Sequence, residues 1–244
     1  MLRGVYEAGS GMLALQHQEA ILASNLANAE TPGYLAEEPN FATTLAVTLQ
    51  AHPGGASVGP MALGVGDATD TLSAAPPTLE VTGRPLDVAP GPNVYFRVAT
   101  PAGPSYSRDG AFFVNAQGNL VTPQGYVVLG TNGGPIPIGT AQGVSITPTG
   151  QAERGGRILG VLALVTAPAT GMLPSAAGLY APKAGVVPTP GGTVTPGALA
   201  LSNVDESTSM AGLVQTVALF QADEEAAHVQ AQTVATLLST GVQP

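Results

Sequence analysis

The chain's 22 prolines leave its N-terminal stretch untouched: none falls between Leu2 and Asn28. A proline inside a helix removes a backbone donor and clashes with the preceding turn, so this stretch is free to form one long helix. Within it Val5, Ala8, Met12, Leu15, Leu22 and Leu26 recur at steps of three and four, with Glu19 as the polar break. That spacing lays a narrow apolar stripe along one side of a helix. A second stripe runs through the last segment, about Asp205 to Thr240. It consists of Met210, Leu213, Val217, Phe220, Ala227, Ala231, Val234 and Leu238, broken at Glu224. The sequence Ser202-Asn203-Val204-Asp205 places a hydroxyl three residues ahead of a carboxylate, the pattern of a capping box. Asp205 and Glu206 also suit the positive end of a helix dipole. The spacing predicts helices roughly 40 and 50 Å long, whose stripes pair as a coiled-coil seam.

Between the ends the pattern changes. Short apolar or alternating runs such as "NVYFRVA", "GAFFVN", "GVSITPTG" and "RILGVLALVTA" are separated by Gly, Asn, Asp and Pro, which is the signature of strands joined by turns. Asp109-Gly110 and Asn115 to Asn119 are expected to supply left-handed turn positions. No segment of helical period is evident from about Phe41 to Leu201. The expected fold is therefore α+β, with long N- and C-terminal helices forming a coiled-coil domain (residues 1–40 plus 201–244) and a β-rich middle domain (residues 41–200).

Composition narrows the function. With 7 basic against 16 acidic residues the net charge is −9, which argues against a nucleic acid or an anionic lipid surface as partner. Cysteine is absent, which excludes disulfides and thiolate metal sites. No stretch approaches the roughly 18 apolar residues of a membrane span, and the N-terminus lacks the form of a cleaved signal peptide. Ala-rich stripes bury little area at about 25 cal/mol per Å², so two such helices alone are marginal and lateral packing against further copies is expected.

Three stretches carry a resemblance. "MLRGVYEAGSGMLALQHQEAILASNLANAETPGY", "TGRPLDVA" followed by "YSRDGAFFVNAQGNLVTPQGYVVLG", and "GALALSNVDESTSMAGLVQTVALFQADEEAAHVQAQTVATLL" resemble, in order, the N-terminal, central and C-terminal motifs of bacterial flagellar rod and hook proteins. The opening residues and the length look most like the proximal and distal rod proteins. Two features depart from the family pattern. Ala218, Phe220 and Asp223 stand where the family has an Arg-x-Tyr pair followed by Asn, and "PGPNVYF" replaces its Asp-Gly-Asp-Gly-Phe-Phe turn.

The resemblance implies a structural subunit that leaves the cell through the flagellar type III export apparatus without a cleaved signal peptide and assembles helically at the basal body. Its partners would be copies of itself and related rod and hook proteins. The terminal helices would form an inner tube and the β-rich part an outer layer, with the stripe residues of both helices as the assembly interface. Asn25, Asn28, Pro32, Gly33 and Tyr34 would form the elbow between them, and Ser202, Asn203 and Asp205 belong to the Ser-Asn-Val-Asp motif that introduces the C-terminal helix. At the elbow, short amides suit a helix end and tolerate left-handed backbone, Pro32 stops the helix, and Gly33 permits a sharp turn. The ends are expected to gain their order on assembly, which would keep the subunit from polymerising early.

Sharper chemistry finds no support in the residues. "GASVG" (Gly55 to Gly59) has the spacing of a serine nucleophile elbow, but neither a buried strand before it nor a helix after it is expected. Glu225 and His228 have the spacing of a di-iron ligand pair, without the second copy and further carboxylates such a site needs. No catalytic, metal or cofactor site is expected. The alternative from another class is a β-rich surface module binding carbohydrate or protein, with "SYSRDGAFF" as its recognition loop.

Overall fold

Both stripe-bearing segments are helical. The computed structural model describes residues 2–43, 46–50, 57–62, 65–67, 70–175 and 178–240, with α1 at Leu2–Ala27 and α2 at Glu206–Thr240. Among the described residues the rest is strand, turn and loop with one 3-10 turn, Ala169–Gly171, so the fold is α+β. Contacts divide the chain into two units. One holds Met1–Leu26, Glu38–Asp70 and Glu206–Pro244, and the other Ala27–Glu37 and Thr71–Asp205.

The coiled-coil domain expected from the stripes is not what these two helices make. Knobs-into-holes packing needs large apolar side chains at the centre of the contact. Among the described side chains of α2 the buried ones are instead Ser209 and Thr216, while Met210 of the stripe is 52% exposed. Gly212 lies against Leu22, where an added Cβ would come within 3.2 Å of Leu22 Cδ1, and Gly11 faces the Asp223 carboxylate. The pairings 22 with 212 and 11 with 223 run antiparallel. On α1 the buried positions are Ile21 and Asn25, one residue off the stripe. Met12, Leu15, Leu22, Leu26, Leu213, Val217, Phe220 and Ala227 are half-buried beside that small and polar centre. Val5, Ala8, Ala231, Val234 and Leu238 lie on helical backbone, and their side chains are outside the described residues.

The same unit contains two antiparallel strand pairs, Phe41–Thr43 with Val65–Asp67 and Ala46–Gln50 with Ser57–Ala62. His17 Nε2 on α1 meets Asp70 Oδ1 at 2.8 Å.

The second unit is organised around the strand Val94–Thr100. It pairs along its length with Gly103–Ser107, in register from Thr100↔Gly103 to Phe96↔Ser107. Its other edge is shared: Leu164–Thr166 takes the first half and Val127–Val128 the second. Both faces of the strand are covered, and the period of two sorts its side chains between two cores. Val94, Phe96 and Val98 enter the larger core with Phe112, Leu120, Ile136 and Leu162. Tyr95 enters the smaller one with Leu35, Leu72, Met172 and Tyr180. Each core has an edge-to-face aromatic pair, Phe96–Phe112 at 5.0 Å and Tyr95–Tyr180 at 5.5 Å between ring centroids.

Asp109-Gly110 corrects an expectation. Gly110 is not among the left-handed glycines. Glycine is required there because a Cβ would overlap the Val88 carbonyl, so this is a close backbone approach and not a left-handed turn.

Candidate functional site

Where the chain leaves α1 it is tied down by a set of long-range hydrogen bonds. The Thr31 N–H donates to the Asn28 carbonyl at 3.0 Å and the Tyr34 N–H to the Thr31 carbonyl at 3.2 Å, which turns the backbone through Pro32 and Gly33. Gly33 has φ of 74°, and a Cβ there would overlap the Arg108 carbonyl. Its N–H donates to the Ala200 carbonyl at 2.7 Å. Leu35 N–H donates to the Tyr180 hydroxyl at 2.9 Å, and that hydroxyl is placed to donate on to the Gly33 carbonyl at 3.4 Å.

Asn203 completes the arrangement. Its N–H donates to the Tyr34 carbonyl, its side-chain oxygen accepts from Ala36 N–H at 2.7 Å, and its amide nitrogen donates to the Ala75 carbonyl at 3.0 Å. One amide therefore bridges the outgoing segment, the returning segment and a loop of the β body. Of the residues singled out from the sequence, Asn28, Pro32, Gly33, Tyr34 and Asn203 come together in this clasp. Asn25 is buried on α1, and Asp205 is an exposed residue just before α2.

Two details differ from expectation. Asn28 is not left-handed; among the described non-glycine residues only Asn93 is. Its side-chain oxygen instead accepts from the Thr31 hydroxyl at 3.3 Å. Ser202 does not cap α2, which starts at Glu206; its hydroxyl accepts from Val204 N–H at 3.3 Å in a local turn.

Tyr180 and Ala200 were not found from the sequence, and Arg108 was read only as part of a recognition loop. Tyr180 sits in an ordinary strand pattern, and nothing local distinguishes a tyrosine whose hydroxyl bridges residues some 147 positions away. The Ser107, Arg108 and Asp109 side chains are buried, so this segment is not an exposed loop. Burial raises the Tyr180 and Tyr95 phenols above the usual range and lowers the Arg108 guanidinium. Burial also pushes the Asp109 carboxyl up to about 6, against the hydrogen bond it accepts from Ala111 N–H at 2.9 Å.

Gly55 and Ala56 lie outside the described residues, and Ser57 begins a strand that no helix follows directly. Among the described residues no group of three or more His, Asp or Glu could hold a metal ion, and no helix is long and apolar enough to cross a membrane.

Comparison with known proteins covers the outgoing half of the clasp and part of the central sheet. Residues 6–34, α1 through Tyr34, match the family model described as flagella basal body rod protein. Residues 93–153, which include the central strand and Arg108, match the flagellar hook protein FlgE/F/G D1 domain. The flagellar basal-body rod protein FlgG of Bacillus subtilis is 35% identical over 160 residues, covering 63% of this chain and 61% of the relative. The rod protein FlgF of Rhizobium meliloti is 34% identical over 168 residues, covering 68% and 66%. FlgF of Escherichia coli is 34% identical over 148 residues, covering 60% and 54%. The match thus spans under two thirds of most of these relatives' length. The two family models fall in the expected order, on the first helix with its elbow and on part of the central sheet, and the chain belongs to the flagellar hook and basal-body rod protein family.

Proposed function

We propose that this protein is a non-enzymatic structural subunit of the bacterial flagellar basal-body rod, assembling helically with its own copies and with related rod and hook proteins to carry torque. The supporting observation is the clasp. A subunit that transmits load needs the segments leading from and to its terminal helices held together, and Asn203, Tyr180 and Gly33 hold them side by side within the β unit. Helical assembly needs heterologous, non-closing contacts, and the exposed apolar side chains Leu13, Met210, Val214 and Val229 offer surface for them. The stripe residues of both helices serve as the assembly interface, the elbow and Ser202–Asp205 as the crossings, and export follows the flagellar type III route.

The test is genetic and structural together. Deleting the gene should abolish swimming and leave rods incomplete, and the unaltered gene should restore both. Leu22→Asp should fail to restore swimming while the purified variant keeps its β signal by circular dichroism. Normal swimming by the deletion strain would overturn the reading.

A further inference from the structure

Arg108 is only 3% exposed and forms part of the wall of a cavity of about 370 Å³ whose rim carries Pro76, Pro77, Leu79 and Pro90. Its Nη1 donates to the Val94 carbonyl at 2.9 Å and its Nη2 to the Gly91 carbonyl at 3.4 Å, while Nε has no acceptor. The Tyr95 ring lies 5.3 Å from the guanidinium carbon. No carboxylate among the described residues pairs with it. The ion pairs there are His17–Asp70 and Arg84–Asp87, and the neighbouring Asp109 directs Oδ1 to Ala111 N–H. Two carbonyl dipoles and an aromatic face offset only part of the cost of holding a cation away from water, and a buried charge ordinarily has a counter-charge.

We propose that this cavity is a carboxylate-binding site, and that its occupant is an Asp or Glu side chain presented by a second copy of the chain. A guanidinium is a planar fork that matches a carboxylate through two parallel bonds. The proline and leucine rim suits the aliphatic stem and backbone of a peptide better than a heavily hydrated anion. With 16 acidic residues against 7 basic ones, each copy brings carboxylates in excess of the cations it can pair. The identity of the occupant rests on the assembly reading above; the carboxylate site itself does not.

The experiment uses the full chain labelled with ¹⁵N-arginine, with the Arg108 Nε–H resonance assigned by its loss in Arg108→Lys. Sodium acetate should move that resonance saturably, while sodium chloride at the same ionic strength leaves it in place. Leu79→Trp, at the exposed rim and outside the hydrogen-bond set, should abolish the acetate response in a folded protein. Acetate should also raise the protein concentration needed for polymer formation by about tenfold, the scale of one charge-assisted bond. A resonance indifferent to acetate overturns the site. A resonance that responds, with polymer formation unaffected by acetate and by Leu79→Trp, overturns the second copy as occupant and leaves a site for free carboxylates. A chain that never polymerises under any condition overturns the assembly reading, and with it the proposed occupant, whatever acetate does.

Discussion

Around Gly33 and Tyr34 the chain is held by backbone and amide hydrogen bonds reaching across more than 140 positions, each with a buried or half-buried partner. Along α1 and α2 the contact centre is Ser209, Gly212 and Thr216, and large apolar side chains point to solvent. The β unit buries Tyr95, Phe96, Phe112 and Tyr180 within itself. Exposed apolar side chains occur in both regions, Leu13, Met210, Val214, Leu219 and Val229 on the helices and Leu79, Val81, Phe113, Ile158 and Val187 in the β unit, so the two differ in what lies at the centre of the packing. The difference teaches how each contact is specified: aromatic and aliphatic side chains fill the β unit's cores, whereas small residues set how closely the helices approach.

The strongest attack on this contrast is Gly110→Ala. Its Cβ would overlap the Val88 carbonyl, and backbone on both sides leaves no flexible atom to yield. A loss of about 4 kcal/mol or more is expected by urea denaturation, and a loss below about 1 kcal/mol would show slack in the β unit. Next comes acidity. With the Asp109 carboxyl raised to about 6 from 3.8, the native protein keeps a proton that the unfolded chain has released. Stability is therefore greatest below pH 4 as far as this group is concerned, and falls by about 3 kcal/mol as pH rises through 6. Asp109→Asn should flatten that slope in denaturant midpoints measured from pH 4 to 7.

Tyr180→Phe is a smaller change aimed at the clasp. It leaves the buried Leu35 N–H without its acceptor, an expected cost of about 1–3 kcal/mol. Hydrogen exchange at Leu35 should accelerate accordingly, and unchanged protection would move the anchoring elsewhere. Smallest of all for the isolated chain is Val214→Ser on α2, where the side chain is 70% exposed. Its thermal midpoint should correspond to a change within about 0.5 kcal/mol, while polymer formation, if the helix face is the contact, should weaken visibly. A variant that polymerises normally would sharpen the contrast by removing that face from the interface.

The elements of this fold were legible where one period dominates. The helix bounds came within a residue or two, because no proline interrupts α1 and the apolar steps are regular. The β character of the middle was legible from its turn residues. What the helices pack with was not. A stripe of Leu, Val and Met gives the direction of an apolar face, but Gly212 beside Leu22 shows that closeness of approach, which glycine permits, chose a neighbouring line of contact. The clasp was half legible. Pro32-Gly33 and Asn203 stand out locally, whereas Tyr180 and Ala200 take part through pairings that no nearby residue announces.

Gly33 to Ala200 and Tyr34 to Asn203 are rungs between the outbound and homeward strands of the polypeptide, set one beside the other. The segments leading from α1 and to α2 are thus tied to each other within the β unit. Such rungs, loaded along their strands, must break together and cannot unzip one at a time, so the joint should fail abruptly under shear and hardly creep before it does.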